Sequence, residues 1–392
     1  MSDSPSRGLL SGALGPSDFM ERPPKRSKSS VTSQFDCLLN VETDFDRYHP
    51  LILTKGHELP NFYIKDEHLA IPINTKVVFF CEGGFNKFSD QSVEATCREG
   101  KTFEINREIV DYPKLKCKKA LQPVTIQEDN CASGKGKLFR IGMSVSPDKN
   151  FMEVYRICVD KKFRFLYTKH KIKPWAANVS ATGMQIEKWL HSDVLSYNNN
   201  EMYDCKRQRQ KGAISAILGR ALPGNDDECY VARQLINEKD VPPGFPQLLT
   251  HSYLNIIPHW NSTATKYWNI LEEIIRAETK KRIEQRTVTV ITGVNYDVPA
   301  GEPQITITDK AGNSNKVPTF LWKSARADTA GWVAEDCASV PVTQPQGDVE
   351  GQRGFTGLTQ VAKACPRSCH WDCVGGTEGF SGYASDKEEN PT

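Results

Sequence analysis

The chain has 392 residues, 38% of them hydrophobic and 25% charged, with a net charge of +2. That length suits about two domains, and the composition is that of an ordinary globular protein. No run of about 18 apolar residues occurs, which argues against a membrane-spanning helix, and so small a net charge leaves a nucleic-acid partner to be held by local basic clusters.

Twelve cysteines are present. Eight of them, Cys37, Cys81, Cys97, Cys117, Cys131, Cys158, Cys205 and Cys229, are scattered without a C-x-x-C pair. Such spacing fits disulfides between distant strands and an oxidising compartment. Buried free thiols in a reducing compartment are the alternative, and the pairing is not legible. The opening residues 1–36 contain no apolar h-region, so they do not read as a signal peptide. They are rich in Ser, Pro and Gly and read as a disordered tail. Within them PPKRSK (23–28) is either a nuclear-import patch or solvated tail.

From Cys37 to about Ile141 the chain is a series of short β-branched or aromatic runs. LLNVETDF, PLILTKG, FYIKDEHLAIPI, TKVVFFCEGG, SVEATCREGKTFEI and LKCKKALQPVTI are punctuated by Gly, Pro or Asn-Thr. They predict a small all-β domain over 37–145 with cysteines in or beside its strands. SGKGK (133–137) is too short for a phosphate-binding loop and reads as a surface turn.

A second domain is expected over 146–330. FMEVYRICVDKKFRFLYTKHKI (151–172) reads as a hairpin turning at Asp160-Lys161-Lys162, with His170 in a fold position rather than as a general base. MQIEKWLH is a possible short helix. Lys206, Arg207, Arg209 and Lys211 then crowd onto six residues, and ISAILG after them suggests a helical apolar face. Such a run is either solvated surface or a phosphate contact; Cys205 and Cys229 bracket it and are placed to close it as a loop. YLNIIPHW (253–260) reads as a strand ended by Pro258. In WNILEEIIR (268–276), Trp268, Leu271, Ile274 and Ile275 share one helical face, and Glu272 and Arg276 are neighbours at four-residue spacing. TVTVITG follows as a core strand. Residues 331–392, rich in Gly, Gln and Pro, read as a divergent, poorly ordered segment. The spacing of Cys365, Cys369, His370 and Cys373 in that segment is not a common zinc pattern.

The stretch Tyr230–Arg276 resembles the DNA/RNA non-specific endonucleases, the ββα-metal nucleases. In that family R-G-H precedes N-x-x-P-Q, N-x-x-x-W and L-E-x-x-x-R. Here Arg233, Asn255, Pro258, Trp268, Leu271, Glu272 and Arg276 fall in register. VVFFCEGG, TCREGKTF and LKCKK are similar to the N-terminal region of the insect secreted branch, and KVPTFLWKSA (316–325) resembles the family's V-P-x-x-x-W-K. The resemblance implies an α+β fold, with a ββα-metal nuclease-like domain after a small disulfide-bearing all-β domain. It also implies an extracellular protein that contacts DNA and RNA through their backbones.

In the family a histidine takes a proton from water, a magnesium ion binds the phosphate, and arginines steady it. The family's histidine falls here on Leu235 and its metal-binding asparagine on Ala264. No catalytic set is intact; Arg233, Asn255, Glu272 and Arg276 remain. The expectation is sequence-non-specific nucleic-acid binding by Lys206, Arg207, Arg209, Lys211, Arg233 and Arg276, with hydrolysis small or absent. Magnesium binding is expected to be weakened or lost, with Glu272 and Asn261 left as metal-binding candidates. The alternative is a weak metal-dependent endonuclease in which His251, His259 or Asn261 substitutes for the missing groups. A structural Glu272–Arg276 ion pair is the plain reading of that spacing.

Overall fold

Alternating apolar and polar residues make strands in the first half of the chain. A computed structural model describes residues 36–341 except 60–62, 66, 146–149, 163, 174–201, 209–213, 216–228, 262–267, 282–286, 299–303 and 328–334. Strands β2 (Leu51–Leu53), β5 (Lys76–Phe80), β6 (Ser92–Glu99), β7 (Thr102–Ile105) and β8 (Glu108–Asp111) pair in that order as an antiparallel sheet. Beside it β1 (Cys37–Asn40), β4 (His68–Ile71) and β3 (Tyr63–Lys65) form a three-stranded sheet. In β6, Val93, Ala95 and Cys97 are buried in strict alternation. Their neighbours inside are rings: Phe79 lies 5.0 Å from Phe103 and 5.4 Å from Tyr112, and Phe45 lies 5.8 Å from Tyr112. The buried Tyr112 hydroxyl donates to the Pro50 carbonyl at 3.2 Å, so no polar group is stranded there. Disulfides Cys37–Cys97 and Cys81–Cys117 close this region.

The largest sheet is antiparallel and seven-stranded. Its order is β20 (Glu335–Pro341), β19 (Phe320–Ala327), β16 (Val288–Asn295), β12 (Phe165–Ile172), β11 (Phe151–Asp160), β10 (Gly136–Ser144) and β9 (Val124–Cys131). The expected hairpin is β11–β12; Asp160 Oδ1 accepts the backbone N–H groups of Lys162 and Arg164 at 2.8 and 2.9 Å and so shapes its turn. The disulfide Cys131–Cys158 ties β9 to β11. Gly293 lies flat beneath Trp322, where any Cβ would overlap the indole. SGKGK forms the exposed β9–β10 turn, with Ala132, Ser133 and Gly134 at positive φ.

Four expectations change. First, β9 and β10 belong to the large sheet because β11 claims the free edge of β10, so no sheet boundary falls at 145/146. One hydrophobic core runs from Cys37 to Leu321, within a single compact unit, Phe35–Thr392. Second, the segment after Ala330 supplies β20, which covers the edge of β19; the main chain's demand for partners outweighs its composition. Third, where a helical face was expected at ISAILG, its first two residues form strand β13 (Ile214–Ser215), paired with β17 (Thr306–Thr308), which pairs in turn with β18 (Ser314–Lys316), and 216–219 lie outside the described residues. Fourth, the strand near Pro258 does not end there: β15 (Ile256–Trp260) continues through it, paired with β14 (Tyr230–Gln234). Such a two-stranded ribbon leaves outer edges that tolerate a residue without an N–H.

Among the described residues no helix is long and apolar enough to cross a membrane. The N-terminal tail with PPKRSK, the possible helix at MQIEKWLH and the Cys365–Cys373 cluster lie outside the described residues.

Candidate nucleic-acid interface

The ribbon β14–β15 is followed by a helix, α3 (Asn269–Lys281), which makes a strand–strand–helix unit. Two shorter helices precede α3, α1 (Cys205–Gln208) and α2 (Phe245–Thr250). Gln208 is buried, and its amide donates to the carbonyls of Tyr230 at 2.6 Å and Met202 at 2.9 Å and accepts the Tyr230 N–H at 2.8 Å. The disulfide Cys205–Cys229 stands next to this clamp, as the bracketing of the segment suggested.

Alternation along the large sheet aims one row of side chains at the ribbon. Thr168, Thr292 and Lys323 lie side by side on β12, β16 and β19, and all are buried. Thr292 Oγ1 and Lys323 Nζ each donate to the Leu235 carbonyl at 3.1 Å. The Leu235 N–H donates to the Asn255 carbonyl at 2.8 Å, and the Leu235 side chain is fully enclosed. Position 235 is thus fixed through its main chain. Asn255 is a clamp rather than a reacting group. Its Oδ1 accepts the Ile236 N–H at 3.0 Å, and its Nδ2 donates to the Ile236 and Thr250 carbonyls at 2.8 and 2.7 Å.

The buried face of α3 continues that of Trp268 just before it and carries Leu271 and Ile275, but also Glu272, Arg276 and Thr279, while Ile274 is only partly buried. Glu272 and Arg276 do not pair with each other. Glu272 Oε1 lies 3.1 Å from Lys323 Nζ; its Oε2 accepts from Asn237 Nδ2 at 2.7 Å and lies 3.7 Å from an Arg233 Nη. Arg276 donates to Asp240 Oδ1 at 3.0 Å, and His170 Nε2 lies 3.4 Å from Asp240 Oδ2. Each acid finds a base from another element because burial demands full neutralisation, which one exposed-type i,i+4 pair would not give.

Burial pushes the His170 imidazole below its ordinary pKa, against the pull of Asp240, so the ring is neutral at pH 7. Burial alone would raise the Asp240 carboxyl; His170, Lys323 and Arg276 outweigh it and hold the group well below the usual carboxylate range. His170 thus stands enclosed on the row of β12 that faces the core, turned to Asp240.

Of the residues able to replace lost chemistry, His259 is fully buried, its ring 6.3 Å from that of Trp268. This encloses it in the core rather than in an open cleft. His251 is partly exposed, with Nε2 2.5 Å from Glu238 Oε2. Asn261 donates its backbone N–H to the Cys229 carbonyl at 2.9 Å, and Ala264 lies outside the described residues. No group of three His, Cys, Asp or Glu side chains converges on a cation position among the described residues. Each oxygen of Glu272 and of Asp240 lies within ion-pair distance of a basic side chain. These residues do not fit a directly held magnesium ion.

Arg233 keeps part of its side chain open to solvent, about 23%. In the basic cluster Lys206 is exposed, whereas Arg207 donates to the Thr308 carbonyl at 2.8 Å and so has a structural task. Arg209 and Lys211 lie outside the described residues. Asn237, Asp240, Thr292 and Lys323 were not picked out from sequence. The available signals were Asn237 as an N-cap just before Asp240, and a lysine inside an apolar strand.

Ribbon, helix and the sheet row behind them define an α+β protein of the ββα-metal nuclease type. The sequence matches the DNA/RNA non-specific endonuclease pattern over residues 134–356, more than half its length, and the chain belongs to that family. The match begins at the β9–β10 turn and continues past Ala330, so it takes in every strand of the large sheet except β9. The chain is similar to a salivary endonuclease of Lutzomyia longipalpis, 23% identical over 300 residues that cover 73% of this chain and 68% of the relative. It is also similar to a solved structure described as the EndoG/EndoGI complex, at 14% identity and a TM-score of 0.35, covering 57% of this chain and 82% of that one.

Proposed function

We propose that this protein binds DNA and RNA without sequence preference, through the sugar–phosphate backbone, and hydrolyses them little or not at all. The observation that carries the reading is position 235, where the family's proton acceptor falls on a fully enclosed leucine. Leucine takes no proton, and loss of a general base costs about 10² to 10⁴ in rate. Beside it, Arg233 remains partly open for a phosphate, and Lys206 stands exposed next to the clamped end of the ribbon. Arg276 is buried against Asp240, so we assign it to the scaffold rather than to phosphate contact. Magnesium, in this reading, is bound weakly or lost. Four disulfides and the salivary relative support secretion. We read the region up to Leu121 as a stapled all-β platform against which the nuclease-type sheet packs.

A second reading, weak endonuclease activity, is favoured by the His251–Glu238 contact, since a carboxylate partner orients an imidazole as a base. Two experiments separate the readings. Duplex DNA titrated across salt should lose affinity by about 10³ or more between about 50 and 200 mM if several phosphates are held; no binding at low salt would refute both nucleic-acid readings. Leu235→His combined with Ala264→Asn should create magnesium-dependent cleavage that neither single change gives, since base and metal act together. Brisk, chelator-sensitive cleavage by the unaltered chain, lost in His251→Ala, would establish the second reading instead.

A further inference from the structure

The face of the large sheet turned away from the ribbon carries an unusual alignment. Arg140 on β10, Arg156 on β11 and Lys169 on β12 stand side by side in register. Like charges directly across strands destabilise a sheet, so each needs a counter-charge. Glu153 supplies one to two of them, accepting from Arg140 Nε at 2.6 Å and from Arg156 Nε at 2.7 Å, and Glu128 lies 3.1 Å from Arg140. Lys169 and Lys171 have no carboxylate within ion-pair distance among the described residues. Lys173 follows on the same face by alternation. Burial lowers the pKa of its ammonium, and Lys171 lowers it further, against the opposing pull of Glu58.

Arg156, Lys169, Lys171 and Lys173 line a cavity of about 880 Å³ over β11 and β12, bounded by residues 56–59 and, at one end, by Val241 and Pro242. Its other charged groups are Glu58 and Glu153, and Glu153 is already shared between two arginines. Alternate residues of a strand repeat at about 7 Å, the order of separation between successive phosphates of an extended strand.

We propose that Lys169, Lys171 and Lys173 form a second polyanion-binding surface, which takes consecutive phosphates of an extended single strand of nucleic acid on the face opposite the ribbon and helix. A solvated charged face would put its lysines on open surface. Here Lys169 and Lys173 are half-buried and Lys171 is exposed, an arrangement that suits a groove following a backbone. The proposal rests on the nucleic-acid-binding reading above, but places phosphates where that reading has none.

The test uses the full disulfide-bonded chain and a fluorescent oligothymidylate, with anisotropy followed across salt. Lys169→Ala/Lys171→Ala should lower the salt slope by about 1.4, at about 0.7 for each phosphate of a single strand that no longer meets a lysine. Lys206→Ala/Arg207→Ala should reduce binding separately. An unchanged slope and affinity in the Lys169/Lys171 variant, while the Lys206/Arg207 variant weakens, would overturn this proposal and leave the ribbon-side reading standing. The reverse pattern would support the proposal and remove the ribbon-side interface. No binding by the unaltered chain at low salt would end both. Should the double variant fail to fold by near-ultraviolet circular dichroism, Lys171→Glu alone, at an exposed position, must weaken binding for the proposal to survive.

Discussion

Between Cys37 and Leu121 the interior is built mainly of aliphatics, a cluster of rings and two disulfides, and its buried Asp44 and His49 pair with partners that keep some 40% or more of their side chains in solvent, Lys101 and Asp46; around Leu235 it holds Glu272, Asp240, Arg276 and Lys323, all nearly sealed from water. Apolar packing is tolerant: a ring can shift and a staple still holds. A buried charge network has no such slack, because each removed partner leaves another charge without compensation. The second region therefore has its geometry set far more narrowly than the first. That narrow setting fixes where Leu235 and Arg233 stand.

The comparison can be broken most forcefully at Lys323. Lys323→Met strands Glu272 and should cost about 3–5 kcal/mol in denaturant unfolding; a cost under about 1 kcal/mol would mean that Arg233 and Asn237 suffice for Glu272. The matching lesion on the other side is Cys37→Ser/Cys97→Ser, which opens a link of sequence separation 60 and should cost about 2–4 kcal/mol. Cys205→Ser/Cys229→Ser, at separation 24, should cost somewhat less, because the entropy of closure grows with loop length. If the two regions are independent, the Lys323 and Cys37/Cys97 changes should add to within about 0.5 kcal/mol.

Acid sharpens the contrast. His170 stays neutral when folded because its pKa is lowered, while the unfolded chain takes up a proton near the ordinary value of 6.5. Its contribution to stability is complete above that value and is lost as pH falls through it towards the folded-state value. Asp240 and Asp46 are depressed below 3.8; their contributions are complete above that and fade at lower pH. Melting temperature should therefore fall in two steps on acidification, and His170→Asn should remove the upper one. An unchanged upper step would assign it to another histidine. The smallest effect is expected from Thr292→Val, about 1 kcal/mol, since Lys323 still serves the Leu235 carbonyl.

What could be read in advance follows the same division. Alternation and a turn aspartate made the Phe151–Ile172 hairpin legible, and a 3.6-residue period found Trp268, Leu271 and Ile275. That period misassigned Ile274, because two of the buried positions on α3 are charged and hydrophobicity does not register them. Glu272 and Arg276 looked like partners because spacing along a helix is local information. Their actual partners, Lys323 and Asp240, come from other elements and depend on how strands order in space. The pairings Cys37–Cys97, Cys81–Cys117 and Cys131–Cys158 were closed to sequence for that reason too, whereas Cys205 and Cys229 showed theirs by bracketing one segment. Strand β20 was missed because a sheet edge recruits whatever chain lies beside it, and composition does not say where edges will be.

Gln208 has a consequence for how the molecule meets its neighbours in solution. Its amide takes both the N–H and the C=O of Tyr230, which is how an adjacent strand would bind that residue. At Tyr230 the ribbon thus meets a side chain where an intruding strand would otherwise attach. Gln208→Ala would reopen that position, leaving two main-chain groups to seek another backbone. A two-stranded ribbon so altered becomes a nucleus for edge-to-edge aggregation, and a concentration-dependent rise in light scattering, with secondary structure retained, would report it.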